Sequence, residues 1–185
     1  QHFYVGKQAG HPHAITQQRI AQLIVEHAQA GQDVVRLKGG DPMIFGRAAE
    51  EIELARRHGF ELRIIPGVTA ALGAAASAQF SLTERFVASS VAFVTGCDAP
   101  PASQAEGQGV AWDRLARAAD TLVIYMGGRH WGRIAQTLLA AGRPATQPAA
   151  VIREATGPQQ EIQWTTLGEA ARQTEQAYCP PAPTL

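Results

Sequence analysis

The chain has 185 residues and a formal net charge of zero, with 45% hydrophobic and 17% charged residues. That much apolar material builds a core and excludes a disordered chain, and the length suits one large domain or two small ones on the usual scale of ~100–150 residues. The balanced charge speaks against general nucleic-acid binding, and no apolar run approaches the ~20 residues of a membrane helix.

In chain order, strand and helix signals alternate. Phe3-Tyr4-Val5 reads as a short strand ending at Gly6. Thr16 is a candidate N-cap for a helix carrying Ile20, Leu23, Ile24 and Ala28, and Gly31 closes it. Val34-Val35-Arg36-Leu37 is the next strand, followed by the sharp turn Gly39-Gly40-Asp41-Pro42. A helix is expected over 45–58, stopped by Gly59, then a strand at 62–65 ended by Pro66-Gly67, and a small-residue helix over 68–78. The pattern resets near Phe80-Ser81-Leu82-Thr83. Beyond it come a strand at 90–95, an exposed loop at 98–109, a helix at 113–119, and a strand at 122–125 running into Met126-Gly127-Gly128. A helix at 131–141 closed by Gly142, strands at 149–152 and 160–165, and a helix from Leu167 to about Gln176 complete the reading.

This order predicts an α/β protein of two α/β lobes with mostly parallel or mixed sheets. The lobes are expected at 1–80, lacking its first strand, and at 81–185. Gln1 opens inside a strand signal without an initiator Met, a basic region or an apolar core, so the start reads as cut and not as a signal peptide. Cys97 and Cys179 stand far apart in no paired spacing, which fits free thiols in a reducing cytoplasm and offers no zinc knuckle. His11-Pro12-His13 has the form of a metal pair but no evident third ligand, so no metal is expected.

The sharpest segment is Val34-Val35-Arg36-Leu37-Lys38-Gly39-Gly40-Asp41-Pro42-Met43-Ile44-Phe45-Gly46-Arg47. It delivers two glycines to the carboxyl end of a strand, where ligands sit in open α/β sheets. Glycines let backbone groups approach a ligand closely, and the Asp41 carboxylate can accept hydrogen bonds from ribose hydroxyls or an amino group. Gly-Asp-Pro is equally good chemistry for an ordinary strand-to-helix turn. No Gly-Lys-Ser/Thr follows, so it is not a phosphate loop. Thr69 alone also reads as a helix cap, and Met126 alone as a core filler.

Taken whole, the segment resembles the tetrapyrrole methylase family, and within it the uroporphyrinogen-III C-methyltransferase group. Val5-Gly6-Lys7-Gln8-Ala9-Gly10, Pro66-Gly67-Val68-Thr69-Ala70-Ala71, Leu82-Thr83, Val94-Thr95-Gly96, Thr121-Leu122-Val123-Ile124-Tyr125-Met126-Gly127 and Glu154-Ala155-Thr156 resemble further family segments in the same order. The resemblance implies two α/β domains, usually dimeric, with S-adenosylmethionine (SAM) in the cleft between them and S-adenosylhomocysteine (SAH) as product. Carried over by position, Gly39, Gly40, Asp41, Ile44, Thr69, Ala70, Met126 and Ala155 would contact SAM, and Lys7 matches the group's proton donor. The Gly39–Asp41 corner, Thr69 and Met126 are thus expected to line one crevice.

The implied chemistry is methyl transfer to a nucleophilic carbon of a tetrapyrrole, in sirohaem and cobalamin synthesis. Another precorrin, a non-tetrapyrrole acceptor, or a non-catalytic fragment are the alternatives. The family's opening Gly-rich loop and the acidic proton acceptor after it do not precede Lys7, and a further C-terminal strand is expected beyond Leu185. Cys97 and Glu84 stand where the family often has His. Arg36, Arg47, Arg85, Arg129 and Arg133 lie near the motifs, with guanidinium forks suited to substrate carboxylates.

Overall fold

The computed structural model describes residues 1–6, 16–96 and 110–173. The described residues up to Thr69 form one compact unit and those from Ala70 onward a second. The small-residue helix therefore belongs to the second unit, whereas the expected lobes divide after residue 80.

The first unit is built on two helices. In α1 (Gln17–Gln29), the Thr16 hydroxyl accepts from the Arg19 amide at 3.2 Å and satisfies one of the free N–H groups of the first turn. Gly31 follows at φ +77°, a conformation that costs glycine little. In α2 (Ala48–His58), Glu50 and Glu51 occupy the first turn and Arg56, Arg57 and His58 the last, each sign matching the helix dipole. The two helices pack together, and Ile20 and Ala55 are buried.

The runs 3–5, 34–37 and 62–65, expected as strands, form no ladder among the described residues. A strand is defined by a hydrogen-bonded neighbour ~4.8 Å away, and an apolar run fixes only one side of that pairing. Val35 and Leu37 are correspondingly 79% and 81% exposed. What holds this stretch is charge: Glu51 of α2 receives Lys38 Nζ at 2.6 Å and Arg36 Nε at 3.3 Å.

The second unit opens with α3 (Ala70–Ser77), followed by β1 (Val91–Thr95), α4 (Trp112–Ala118) and β2 (Thr121–Tyr125). A 3₁₀ turn at Gly128–His130 leads into α5 (Trp131–Ala140), then β3 (Pro148–Arg153), β4 (Glu161–Thr166) and α6 (Leu167–Ala170). The β1 and β2 strands are parallel, with Val91 opposite Thr121, while β3 and β4 are antiparallel, with Pro148 opposite Thr166. Helix α5 packs on α4 and α6, and Val94, Trp112, Ile134, Leu138 and Leu167 form the centre of the core. The last helix is shorter than expected. A capping box of Thr166 and Glu169 starts it, and i→i−3 bonds from Arg172 and Gln173 tighten it to a close. The expected helix end near Gln176 and the loop at 98–109 lie outside the described residues.

Two polar clamps brace the second unit. Asp120 Oδ2 accepts from the Ser89 and Ser90 amides at 2.9 and 3.1 Å and from Ser90 Oγ at 2.8 Å. These bonds, led by the Ser90 hydroxyl, hold its carboxyl below the usual carboxylate range. Arg143 donates to the carbonyls of Ala116, Ala119 and Asp120, which α4 leaves open at its C-terminal end.

Candidate functional site

In the first unit, the Gly-Gly-Asp bend is tied to the Pro66-Gly67 segment. Gly40 adopts φ +71°. Asp41 Oδ1 accepts from the Met43 amide at 2.8 Å, an Asx-type turn, and Oδ2 accepts from the Gly67 amide at 3.0 Å. A Cβ on Gly67 would fall on the Gly40 carbonyl oxygen, so the two segments meet backbone to backbone. Ile44 closes the corner, its amide donating to the Asp41 carbonyl at 3.3 Å. Phe45 and Arg47 follow at φ +51° and +57°, a region that non-glycine residues rarely enter. Gly39, Gly40, Asp41 and Ile44 thus share one corner, and buried Thr69 follows Gly67 by two residues.

In the second unit, the predicted residues collect around the first half of α3. Ala70 heads this helix, and the Ala71 amide donates to Tyr125 Oη at 3.2 Å. Tyr125 ends β2, and Met126 follows at φ +57° and 56% exposure. Beside it, the Gly96 amide donates to the Tyr125 carbonyl at 2.6 Å, and a Cβ on Gly96 would stand 2.5 Å from Gly127 Cα. One turn into α3, a Cβ on Gly73 would stand 3.2 Å from Thr156 Cγ2. Ala155 precedes that threonine, between Glu154 at φ +45° and Thr156 at φ +69°. Ala70, Met126 and Ala155 are therefore each α3 itself or the chain neighbour of a residue that touches it. Tyr125, whose hydroxyl ties β2 to α3, is not among the site residues expected from the sequence. Its signal was a hydroxyl-bearing aromatic at the carboxyl end of a strand, directly before Met-Gly.

Other expected residues fall differently. Lys7, His11, His13 and Cys97 lie outside the described residues, as does the Arg129 side chain. Arg36 and Arg47 are engaged by Glu51 and Glu50, and Arg133 lies 3.4 Å from His130 Nδ1. Arg85 lies over the Phe86 ring at 4.8 Å, in a tight turn closed by the Glu84 and Ala88 backbones. Among the described residues, no three His, Cys, Asp or Glu side chains group to hold a metal, and no helix is long and apolar enough to cross a membrane.

Each unit thus carries its own corner of small residues. Side-chain-free turns present backbone N–H and C=O groups to hydroxyls and amines. In the second unit, Ala70 and Ala155 carry only methyl side chains and Met126 a polarizable thioether.

Residues 1–171 match the family described as Tetrapyrrole (Corrin/Porphyrin) Methylases. Siroheme synthase 1 of Serratia proteamaculans is 47% identical over 176 residues, which cover 95% of this chain and 36% of that protein. The chain thus spans little more than a third of the length of that relative. The native uroporphyrin III C-methyl transferase of Thermus thermophilus is similar at a TM-score of 0.72 and 36% identity, covering 85% of this chain and 64% of that one. Its complex with S-adenyl homocysteine is similar at a TM-score of 0.71 and 34% identity, covering 90% and 70%. With glycine corners, a small-residue helix and a Met-Gly turn in the family's order, and a match running through nearly its whole length, the chain belongs to the tetrapyrrole methylases.

Proposed function

We propose that this chain forms the methyl-donor site of a SAM-dependent methyltransferase that converts uroporphyrinogen III to precorrin-2, in sirohaem and cobalamin synthesis. The observation that carries this reading is where the backbone departs from ordinary conformations. Of the seven described non-glycine residues with positive φ, five lie at the motif loops: Phe45 and Arg47 after Gly-Gly-Asp, Met126, and Glu154 and Thr156 around Ala155. Such conformations cost about 1–3 kcal/mol each and concentrate at ligand sites. Sequence motif and stored strain pick out the same loops.

On this reading, the Gly39–Gly40–Asp41 corner, Ile44, Thr69, Ala70, Met126 and Ala155 hold the donor. SAM supplies an activated methyl group on a sulfonium. The chain's residues orient donor and acceptor and exclude water. Lys7 serves as a proton donor as protons are redistributed on the macrocycle. The acceptor is a polycarboxylate tetrapyrrole, and the working protein is a homodimer in the cytoplasm. Titration calorimetry with SAH tests the donor site, with binding expected and its absence counting against the reading. Mass analysis after incubation with SAM and uroporphyrinogen III tests the acceptor, a product heavier by methyl increments being expected. Methylation only of a later precorrin, or of a non-tetrapyrrole, would overturn the choice of acceptor and leave the donor site standing.

A further inference from the structure

We infer that Asp41 is a positioning residue, whose carboxylate serves the donor site by bolting the Gly39-Gly40 turn to the Pro66-Gly67-Val68-Thr69 segment and not by touching the ligand. This rests on the donor-site reading above and assigns one of its residues a different job. An aspartate after two glycines at a nucleoside corner invites the view that its oxygens take ribose or amino groups. Here each oxygen already faces a backbone amide: Oδ1 that of Met43 at 2.8 Å, Oδ2 that of Gly67 at 3.0 Å. The second bond spans 26 positions of sequence and is a tertiary tie, not a local turn. Gly67 and Met43 hold the carboxyl below the usual carboxylate range, so it stays ionised and an acceptor throughout the neutral range.

The neighbouring geometry makes this tie consequential. Gly67 cannot carry a side chain without striking the Gly40 carbonyl, so the two segments are close-packed backbone to backbone. Phe45 and Arg47, immediately downstream, hold left-handed conformations that persist only where surrounding contacts over-determine them. Thr69 lies two residues past the bolt, so a slip at Gly67 moves it directly. A carboxylate that fixes two amides at once aligns both loops before the ligand arrives, which is how preorganisation raises affinity.

The test uses the unmodified 185-residue chain and two variants, with SAH as probe. In the unmodified chain, NMR should show the Gly67 amide protected from exchange without SAH, and the Asp41 carboxyl carbon unmoved when SAH is added. An unprotected Gly67 amide, or a carboxyl signal that shifts on binding, overturns the inference. Asp41→Asn should strip protection from Gly67. Asp41→Asn and Gly67→Ala should each weaken SAH by about tenfold, the scale of one charge-assisted hydrogen bond. The double variant should be no weaker than the poorer single, because both act through one contact. Weakening by Asp41→Asn with Gly67→Ala silent, or multiplied effects in the double variant, would show direct ligand contact instead. Failure of the unmodified chain to bind SAH sinks the donor-site reading, and Gly67 exchange then judges the bolt separately.

Discussion

Ile134→Ala tests the link between the core of the second unit and its Met-Gly turn. Ile134 lies on α5 at 1% exposure, and its Cδ1 stands 3.8 Å from where a Cβ on Gly127 would be. The substitution deletes roughly three methyl or methylene groups, at ~0.8 kcal/mol each, or ~2.4 kcal/mol of transfer free energy. The cavity left beneath Gly127 adds to this, giving an expected loss of about 3–4 kcal/mol. That is a large fraction of the ~5–15 kcal/mol that holds a domain together. The three tryptophans, Trp112, Trp131 and Trp164, all lie in the second unit, so their fluorescence during urea unfolding reports that unit alone. Ile134→Val should cost only ~1 kcal/mol. An alanine variant that loses less than ~1 kcal/mol would refute the placement of Ile134 in the core.

Arg143→Met keeps the aliphatic stem but leaves the carbonyls of Ala116, Ala119 and Asp120 without their donor, and should cost about 1–2 kcal/mol in the same fluorescence assay. Asp41, Asp120 and Glu169 have folded pKa values lowered by hydrogen bonds from Gly67, Ser90 and Thr165 respectively, so their stabilisation is complete above the unfolded carboxylate value and lost as pH falls through the lower folded ones. Urea midpoints should therefore hold steady from about pH 7 to 5 and drop below about pH 4, with a shallower drop in Asp120→Asn. Lys7→Met should leave SAH affinity in place and slow methyl transfer by about 10²–10⁴-fold, read as product per turnover time. Gly132→Ala would drive a Cβ into the Gln173 carbonyl oxygen and should cost about 1–3 kcal/mol by urea unfolding.

Local signals in the sequence were the ones that translated well. Thr16 caps α1, and Gly31, Gly59 and Gly142 follow α1, α2 and α5 with positive φ, because a cap depends on a few adjacent residues. The Gly-Gly-Asp and Met-Gly segments fall at a bend and at the end of β2 for the same reason, whereas Pro66-Gly67 falls in extended chain with no bend. The start of α6 at Leu167 follows from the Thr166 to Glu169 capping box, whereas its end at Ala170 is set by i→i−3 bonds that no residue pattern announces. Pairing was the weaker inference. Val34-Val35 and Ile64-Ile65 have strand composition, yet a ladder depends on a partner that no local pattern names. The antiparallel sense of β3 and β4 was left open for the same reason. Long-range polar ties such as Asp120 to Ser89 and Ser90, Asp41 to Gly67, and Tyr125 to Ala71 have no periodic signature at all.

The two sheets of the second unit also differ in how soon each can assemble. Strands β3 and β4 are neighbours in the chain, with Arg153 facing Glu161, so a short loop brings them together. Strand β1 must wait for β2 across a crossover that includes α4, since Thr95 faces Tyr125. Closing a longer loop costs more entropy before any contact rewards it, and such non-local pairings slow folding. The β3–β4 pair therefore closes the shorter loop, and the juxtaposition of Gly96 and Gly127 depends on the longer β1–β2 closure.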